Sequence, residues 1–376
     1  MWPEEDGRTR SGRAEGLPGK EADSLDVFRV GIAGSGFGAR VHAPLLAAHP
    51  GFDPVAIASL HRGDPDRVRK ESGIANVTND WRRLLDMRLD LLVVAANPPL
   101  HREIAERALE RGLHVLCEKP MALDAAEAES MEELRREHGR IGAITFEFRF
   151  RPARAAVRQL LAQGRIGRVL HVAYAGQDAR YAHLLSAPIG WLGESSQGGG
   201  RLGALGSHMF DSLRYWTGDE VSELSAQLTT HVPVSEDGER RDADDAFQAF
   251  GRMVSGATFL LDYRSATHRP SGWQLEIHGT EGTIALTDDR TVRLAPGSGG
   301  WQDVPLAPGA DAPSAPEAVR GYASAMLPFL DELHASLRTG EPTGDLPTFA
   351  DGVMSQRLLD AARRSSSSGL REVLRG

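Results

Sequence analysis

The chain contains a single cysteine, Cys117. An intramolecular disulfide is therefore excluded, and with it any small fold held together by bridges. Cys117 closes a short apolar run, where a thiol serves as a small hydrophobe, and a reducing, cytoplasmic location is the matching expectation. No stretch approaches the roughly 20 apolar residues that a bilayer-spanning helix requires, so no membrane partner is expected. Clusters of lysine and arginine are missing too. The formal charge of −9 is spread along the chain, which leaves no positive patch for a phosphate backbone and argues against nucleic acid as a partner. No internal repeat and no metal-ligand cluster stands out. Residues 1–26 are charged, contain glycine and have no apolar h-region, and they read as a disordered leader rather than a signal peptide.

What is present is length. At 376 residues the chain exceeds what one core usually organises, so two domains are expected, with boundaries at 27–148 and 149–376. In the first, short apolar runs at Phe28 to Ala33, Val55 to Ser59, Leu89 to Ala95, His114 to Cys117 and Ile141 to Phe146 read as strands buried on both faces. Helical stretches alternate with them: Pro99 to Arg111, which Gly112 can cap, and Ala125 to His138, with Asp124 as N-cap. This alternation predicts an α/β fold with a doubly wound parallel sheet.

At the end of the first strand stands Gly34-Ser35-Gly36-Phe37-Gly38-Ala39, a G-x-G-x-x-A pattern in strand-to-helix context. The first glycine permits the tight turn, the second lets a pyrophosphate approach the backbone, and Ala39 is small enough for helix–strand packing. The pattern predicts a dinucleotide on the amide groups of the following helix. The second strand ends at Ser59, where a carboxylate would accept the ribose 2′-hydroxyl, and His61 and Arg62 follow. With no carboxylate to repel a 2′-phosphate and two groups able to pair with one, NADP(H) is favoured and NAD(H) possible. The plainer alternative makes Arg62 a solvated loop residue before a helix that starts at Asp64-Pro65.

Glu118-Lys119-Pro120 falls where the strand His114 to Cys117 runs out, in the crevice where open α/β sheets collect ligands. Taken alone, Lys119 is a surface lysine after a strand. Together with Ala95-Ala96-Asn97-Pro98-Pro99-Leu100-His101, Gly198-Gly199-Gly200, Gly206-Ser207-His208-Met209-Phe210-Asp211 and Glu276-Ile277-His278-Gly279-Thr280-Glu281-Gly282-Thr283, it resembles the Gfo/Idh/MocA oxidoreductases from about Val27 onward. The resemblance implies a Rossmann domain holding a nicotinamide dinucleotide, and a sugar, cyclitol or related hydroxylated substrate under a second, α+β domain. It also implies that Glu118, Lys119 and Pro120 touch cofactor and substrate, that Asn97 to His101 line the nicotinamide side, that Arg149 lies near the substrate and that His208 transfers the proton. Pairing of copies into a homodimer or homotetramer through the second sheet is implied as well.

Chemistry supports the two central roles. Hydride leaves a carbinol carbon only as its hydroxyl proton is removed, so a base near neutral pKa and a cation near the developing oxyanion both lower the barrier. One departure stands out: the family often carries an Asp four residues before this histidine, and here that place is Ala204. Asp211, three residues after His208, is the candidate to compensate, with a helix-surface role as its alternative. Asp178, Arg180, Tyr181 and His183 are further candidate polar contacts for substrate.

Past Gly164 the pattern alternates. Trp273, Leu275 and Ile277 fall on one face and Gln274, Glu276 and His278 on the other, as in a large, mainly antiparallel open sheet with one wetter face. Arg168 to Ala175, Phe247 to Val254, Ala257 to Ser265 and Thr283 to Thr287 read as its other strands. Tyr322 to Leu337 and Phe349 to Arg364 read as amphipathic helices that act as cover. Ser365 to Ser368 and Gly297 to Gly300 read as solvated loop, and Trp191 and Trp216 as core residues able to stack on a sugar. Three functional readings follow: an NAD(P)-dependent oxidoreductase acting on CH–OH groups, a non-catalytic NAD(P) sensor or assembly subunit suggested by Ala204, and a redox-neutral enzyme that oxidises its substrate transiently.

Overall fold

The computed structural model of the protein describes residues 26–60 and 64–374. The expected leader lies, apart from Asp26, outside the described residues, as do His61 and Arg62. The first sheet is built from β1 (Phe28–Ala33), β2 (Phe52–Ala58), β3 (Val77–Thr78), β4 (Leu91–Val94), β5 (His114–Cys117) and β6 (Gly142–Ile144). Their order is β3-β2-β1-β4-β5-β6, all parallel. Every residue of β4 is fully buried, which is why its sequence is a continuous apolar run rather than an alternating one. The chain leaves β1 toward β2 and later returns to β4 on the other side, so the crevice opens between the carboxyl ends of β1 and β4.

The helices α1 (Ala43–Ala48), α2 (Pro65–Ser72), α3 (His101–Glu110) and α4 (Ala125–Glu137) connect these strands. Asp124 caps α4 by accepting from the Glu127 amide at 2.9 Å, and Asp64 caps α2. Ile104, Ala105, Ala108 and Leu109 of α3 pack on one sheet face with Leu92 and Val94. The opposite face meets α1 and a helix that arrives from much later in the chain.

The second half contains α5 (Pro152–Ala162), β7 (Val169–Gln177), α6 (Tyr181–Ser186), α7 (Ser207–Thr217), β8 (Val221–Thr229), β9 (Ala246–Met253), β10 (Thr258–Arg264), β11 (Trp273–Gly279), β12 (Gly282–Thr287), β13 (Thr291–Pro296), β14 (Gln302–Asp303), α8 (Glu317–Thr339), α9 (Phe349–Ser368) and β15 (Glu372–Val373). Its nine strands run β14-β13-β12-β11-β7-β10-β9-β8-β15, with β7 and β10 the one parallel pair. Leu275 and Ile277 are buried while Glu276 is exposed, in keeping with the alternation of the sequence. One face packs on α5, α7 and the end of α9, whereas Leu170, Phe250 and Leu260 stand exposed.

Two features differ from the sequence reading. Helix α8 does not cover the second sheet: Val319, Met326, Phe329, Leu330 and Leu333 enter the core with Val30, Ile32, Leu91 and Val93 of the first. Helix α9 starts in the first domain's core through Phe349 and Val353 and ends in the second's through Leu358 and Leu359. The serine run is not loop. Ser365 to Ser368 form the last turn of α9, where the Ser365 and Ser366 hydroxyls accept from the Ala226 and Leu228 amides at 3.0 and 2.9 Å. They thereby satisfy donors that β8, beyond its short pairing with β15, leaves unpaired.

Candidate active site

Gly34 adopts φ +126°, and a Cβ there would lie 2.0 Å from the Ala95 carbonyl oxygen, so β1 can turn beside the end of β4 only without a side chain. A Cβ on Gly36 would meet nothing within 4 Å. This open space above bare backbone fits the close approach of a pyrophosphate. Ser35 donates to the Ser59 hydroxyl at 3.0 Å, tying the turn to the end of β2. The resulting cleft, about 360 Å³, is lined by Gly34, Ser35, Gly36, Phe37, Ala96, Asn97, Pro98, His101, Glu118 and Lys119. Gly38, Ser59 and Pro120 are not among its lining residues, while Trp191 lines it and Arg40, Leu60 and Leu192 join it unanticipated.

His101 holds the back of the cleft. Its two ring nitrogens lie 3.0 Å from the carbonyl oxygens of Ala96 and Pro120, which links the loops after β4 and β5. Glu118 is buried and takes His42 Nε2 at 2.8 Å and the Lys119 amide at 3.2 Å. Burial pushes this carboxyl up, but the His42 hydrogen bond and the Lys119 charge outweigh it, and the net shift is downward. The Glu118 carboxylate is thus fixed as an anion at the root of Lys119. Lys119 is one of three lysines in a chain that otherwise carries its positive charge on arginine.

His208 sits in the first turn of α7, 2% exposed, stacked on Phe148 at 4.0 Å and edge-on to Phe146 at 5.7 Å. Phe148 is in turn backed by the buried Arg154, 4.5 Å from its ring and anchored to Asp289 at 2.8 Å. Burial drives the His208 pKa well below its ordinary value, and the charges of Lys119, Arg154 and Arg151 push the same way. At neutral pH the imidazole is therefore neutral and able to accept a proton. Its Nδ1 is buried without a partner.

With Ala at position 204, a carboxylate approaches His208 from another element. Glu147, in the turn after β6, places Oε2 3.9 Å from His208 Nε2. Burial and repulsion from Glu118 raise its pKa to about 7, against the pull of Lys119. Oε2, like His208 Nδ1, has no hydrogen-bond partner among the described residues. The Lys119 charge pulls the carboxyl groups of Glu118 and Glu147 and the His208 imidazole toward lower pKa alike. The two halves meet closely at the glycine run: Gly198 adopts φ +73°, and a Cβ there would lie 3.1 Å from both Leu123 and Pro98.

Comparison with known proteins agrees with this architecture. Residues 28–146 match the model of the oxidoreductase family with an NAD-binding Rossmann fold, and residues 155–285 match the GFO/IDH/MocA C-terminal domain. The chain belongs to the Gfo/Idh/MocA oxidoreductase family. Levoglucosan dehydrogenase of Pseudarthrobacter phenanthrenivorans is 30% identical over 301 residues, 72% of this chain and 76% of that one. The human glucose-fructose oxidoreductase domain-containing protein 2 is 28% identical over 374 residues, covering 90% and 91%. A solved levoglucosan dehydrogenase complex with NADH and levoglucosan superposes with a TM-score of 0.83 at 26% identity, covering 92% of this chain and 99% of the other. The protein is thus an NAD-binding oxidoreductase with sugar dehydrogenases among its relatives. No helix among the described residues is long and apolar enough to cross a membrane.

Other candidate residues of this Gfo/Idh/MocA chain sit apart from the Lys119 cleft. Asp211 does not face His208; its carboxylate takes the Arg149 guanidinium at 2.5 and 2.9 Å. Arg149 also meets Asp351 at 3.0 Å, and both members of the Arg149–Asp211 pair are buried. Neither side chain is free for substrate: a buried cation with an available carboxylate is held by it. Asp178 accepts from the Tyr263 hydroxyl at 2.5 Å, and Tyr181 packs on His268 with ring centroids 4.6 Å apart. Trp216 is a core residue, donating to the Arg154 carbonyl at 3.2 Å, whereas Trp191 lines the cleft. Burial pushes the Cys117 thiol well above its ordinary range, leaving it inert.

Proposed function

We propose that this protein is an NAD(P)-dependent dehydrogenase or reductase of a sugar, cyclitol or related polyol or ketone. The observation that carries the reading is Lys119 in the wall of the dinucleotide cleft, with its charge acting on the buried His208 and on Glu147, whose Oε2 lies 3.9 Å from His208 Nε2. Bound nicotinamide supplies the hydride acceptor or donor. Lys119 donates a hydrogen bond to the reacting oxygen and stabilises its negative charge as the C–H bond breaks. His208, kept neutral by burial, takes the hydroxyl proton, or returns it in reduction. Glu147, titrating near neutrality beside that ring, balances the charge the imidazole acquires. Phe146 and Phe148 hold the ring in place and keep water from it.

Gly34, Ser35, Gly36, Phe37 and Asn97 hold the dinucleotide in this reading. With Ser59 rather than a carboxylate after β2, a 2′-phosphate meets no fixed negative charge there, which supports NADP(H) over NAD(H). The exposed Phe250 and Leu260, paired across β9 and β10, support association of copies through the outer sheet face into a dimer or tetramer. The inert thiol of Cys117 accords with a cytoplasmic, reducing location.

The test is absorbance of reduced nicotinamide when the purified protein meets NAD or NADP and a panel of sugars, anhydrosugars and cyclitols, with product analysis in the same mixtures. Turnover that disappears in Lys119→Ala, with cofactor binding intact, is the expected result. A protein that binds cofactor but converts no member of the panel, by net oxidation or by redox-neutral chemistry, overturns the assignment.

A further inference from the structure

A second cavity, about 260 Å³, lies beside the cofactor cleft and shares Trp191 and Leu192 with it. Its other borders include Arg180, His183, Arg201 and Arg241. Arg201 opens the turn that leads into His208, the same turn whose Gly203 packs on Pro120. The cavity therefore shares a wall with the cofactor cleft and borders the start of the turn that leads to His208.

The charges around it do not cancel. The Arg201 guanidinium donates to the Ser265 hydroxyl at 3.2 Å and forms no ion pair with a carboxylate among the described residues. Arg241 donates from one nitrogen to the carbonyl oxygens of Leu184 and Val232, which take two of its hydrogens without neutralising its charge. Arg180 has only a 3.6 Å contact with Asp178, whose Oδ2 already accepts from Tyr263. Two carboxylates, Asp244 and Asp245, also line the cavity, but both are engaged by backbone amides. Asp245 accepts from the His231 and Val232 amides at 3.0 and 2.8 Å, and Asp244 accepts from the Leu202 amide at 2.8 Å. Burial raises Asp244 to about 6, although the Leu202 amide and the Arg363 charge oppose it. Burial also lowers the Arg201 pKa, and Arg180 adds to the effect, which a bound anion would reverse. A planar fork of donors without its carboxylate, in a cavity with other cations, suits bidentate capture of a carboxylate or phosphate.

We propose that this cavity receives an anionic group, a carboxylate or a phosphate, carried by the substrate whose carbinol carbon reacts at Lys119 and His208. The inference rests on the dehydrogenase reading for the carbinol end but not for the anion itself. The protein therefore selects acidic sugars over their neutral counterparts.

The experiment compares glucose, glucuronate, gluconate and glucose 6-phosphate on the full chain loaded with cofactor, by calorimetric binding and by turnover. The anionic ligands should bind about tenfold or more tighter than glucose, with the preference shrinking as salt is raised. Preference for glucuronate and gluconate identifies a carboxylate site, and preference for glucose 6-phosphate a phosphate site. In Arg201→Met the ratio of anionic to neutral affinity should collapse by about tenfold to a hundredfold, with Arg201→Lys recovering part of it. Arg180→Ala, on a separate element, should lower the same ratio and provides the readout should Arg201→Met not fold. Equal binding of glucose and the three anions, or anion binding that both Arg201→Met and Arg180→Ala leave unchanged, overturns the inference. Anion binding that depends on Arg201 without turnover of any member of the wider carbohydrate panel would sustain it and defeat the dehydrogenase assignment instead.

Discussion

Replacing Glu147 with Gln should make the protein more stable at alkaline pH and a poorer catalyst. The folded chain raises this carboxyl from 4.5 to about 7. At about 1.4 kcal/mol per pKa unit, that displacement corresponds to roughly 3 kcal/mol. Between those two values the native state holds a proton that the unfolded chain has released. Stability therefore falls as pH rises from about 4.5 to about 7 and levels off above, where a buried charge persists without a hydrogen-bond partner on Oε2. Glu147 is only 6% exposed, so solvent screening relieves little of this cost. A glutamine cannot ionise. Urea unfolding followed by circular dichroism and by fluorescence, to separate the two cores, should find Glu147→Gln about 2–3 kcal/mol more stable than wild type at about pH 8 and nearly equal at about pH 5. Turnover should drop by about a hundredfold, because the imidazole loses its balancing carboxylate. A stability gap that does not change with pH, or a variant weaker than wild type at alkaline pH, would refute the reasoning.

Lys119→Ala should lower kcat by about a hundred- to a thousandfold while the cofactor Kd moves less than about threefold, as measured by fluorescence titration and steady-state rates. His208→Ala should cost about a hundred- to ten-thousandfold in kcat, and the alkaline plateau of the rate profile should disappear with the base. Gly36→Val places its side chain in open space, so the cofactor-free protein should unfold within about 0.5 kcal/mol of wild type. Its dinucleotide affinity should nevertheless fall by more than about tenfold, because the valine occupies the pyrophosphate approach. Ser365→Ala removes the acceptor of the Ala226 amide and should cost about 1 kcal/mol in urea unfolding.

The dinucleotide cleft was legible because parallel strands buried on both faces leave uninterrupted apolar runs, and each run ends at a crevice residue. His114 to Cys117 is strand in both readings, and Glu118 and Lys119 follow from it. Glu147 obeyed the same rule, standing at the end of β6 as Glu118 stands at the end of β5, but its aromatic neighbours gave no sign that it is buried. Arg149 was expected near the substrate and Asp211 beside His208, because nothing local in the sequence shows that they face one another across 62 positions. Strand β8 escaped notice because a bulge between Val221 and Glu223 breaks its period and much of its length is only half buried. The periodicity of α8 indicated an apolar face but not which sheet would receive it. Amphipathicity is a local property, and partner choice depends on the path of the whole chain.

Helix α8 also has a bearing on biosynthesis. On a translating ribosome, the strands β1 to β6 emerge long before residues 317–339, and until that helix arrives Ile32, Leu91 and Val93 lack the lid that seals them. The nucleotide-binding unit, although early in the chain, is among the last parts to be completed, and the nascent polypeptide exposes an adhesive surface that a holdase chaperone would shield.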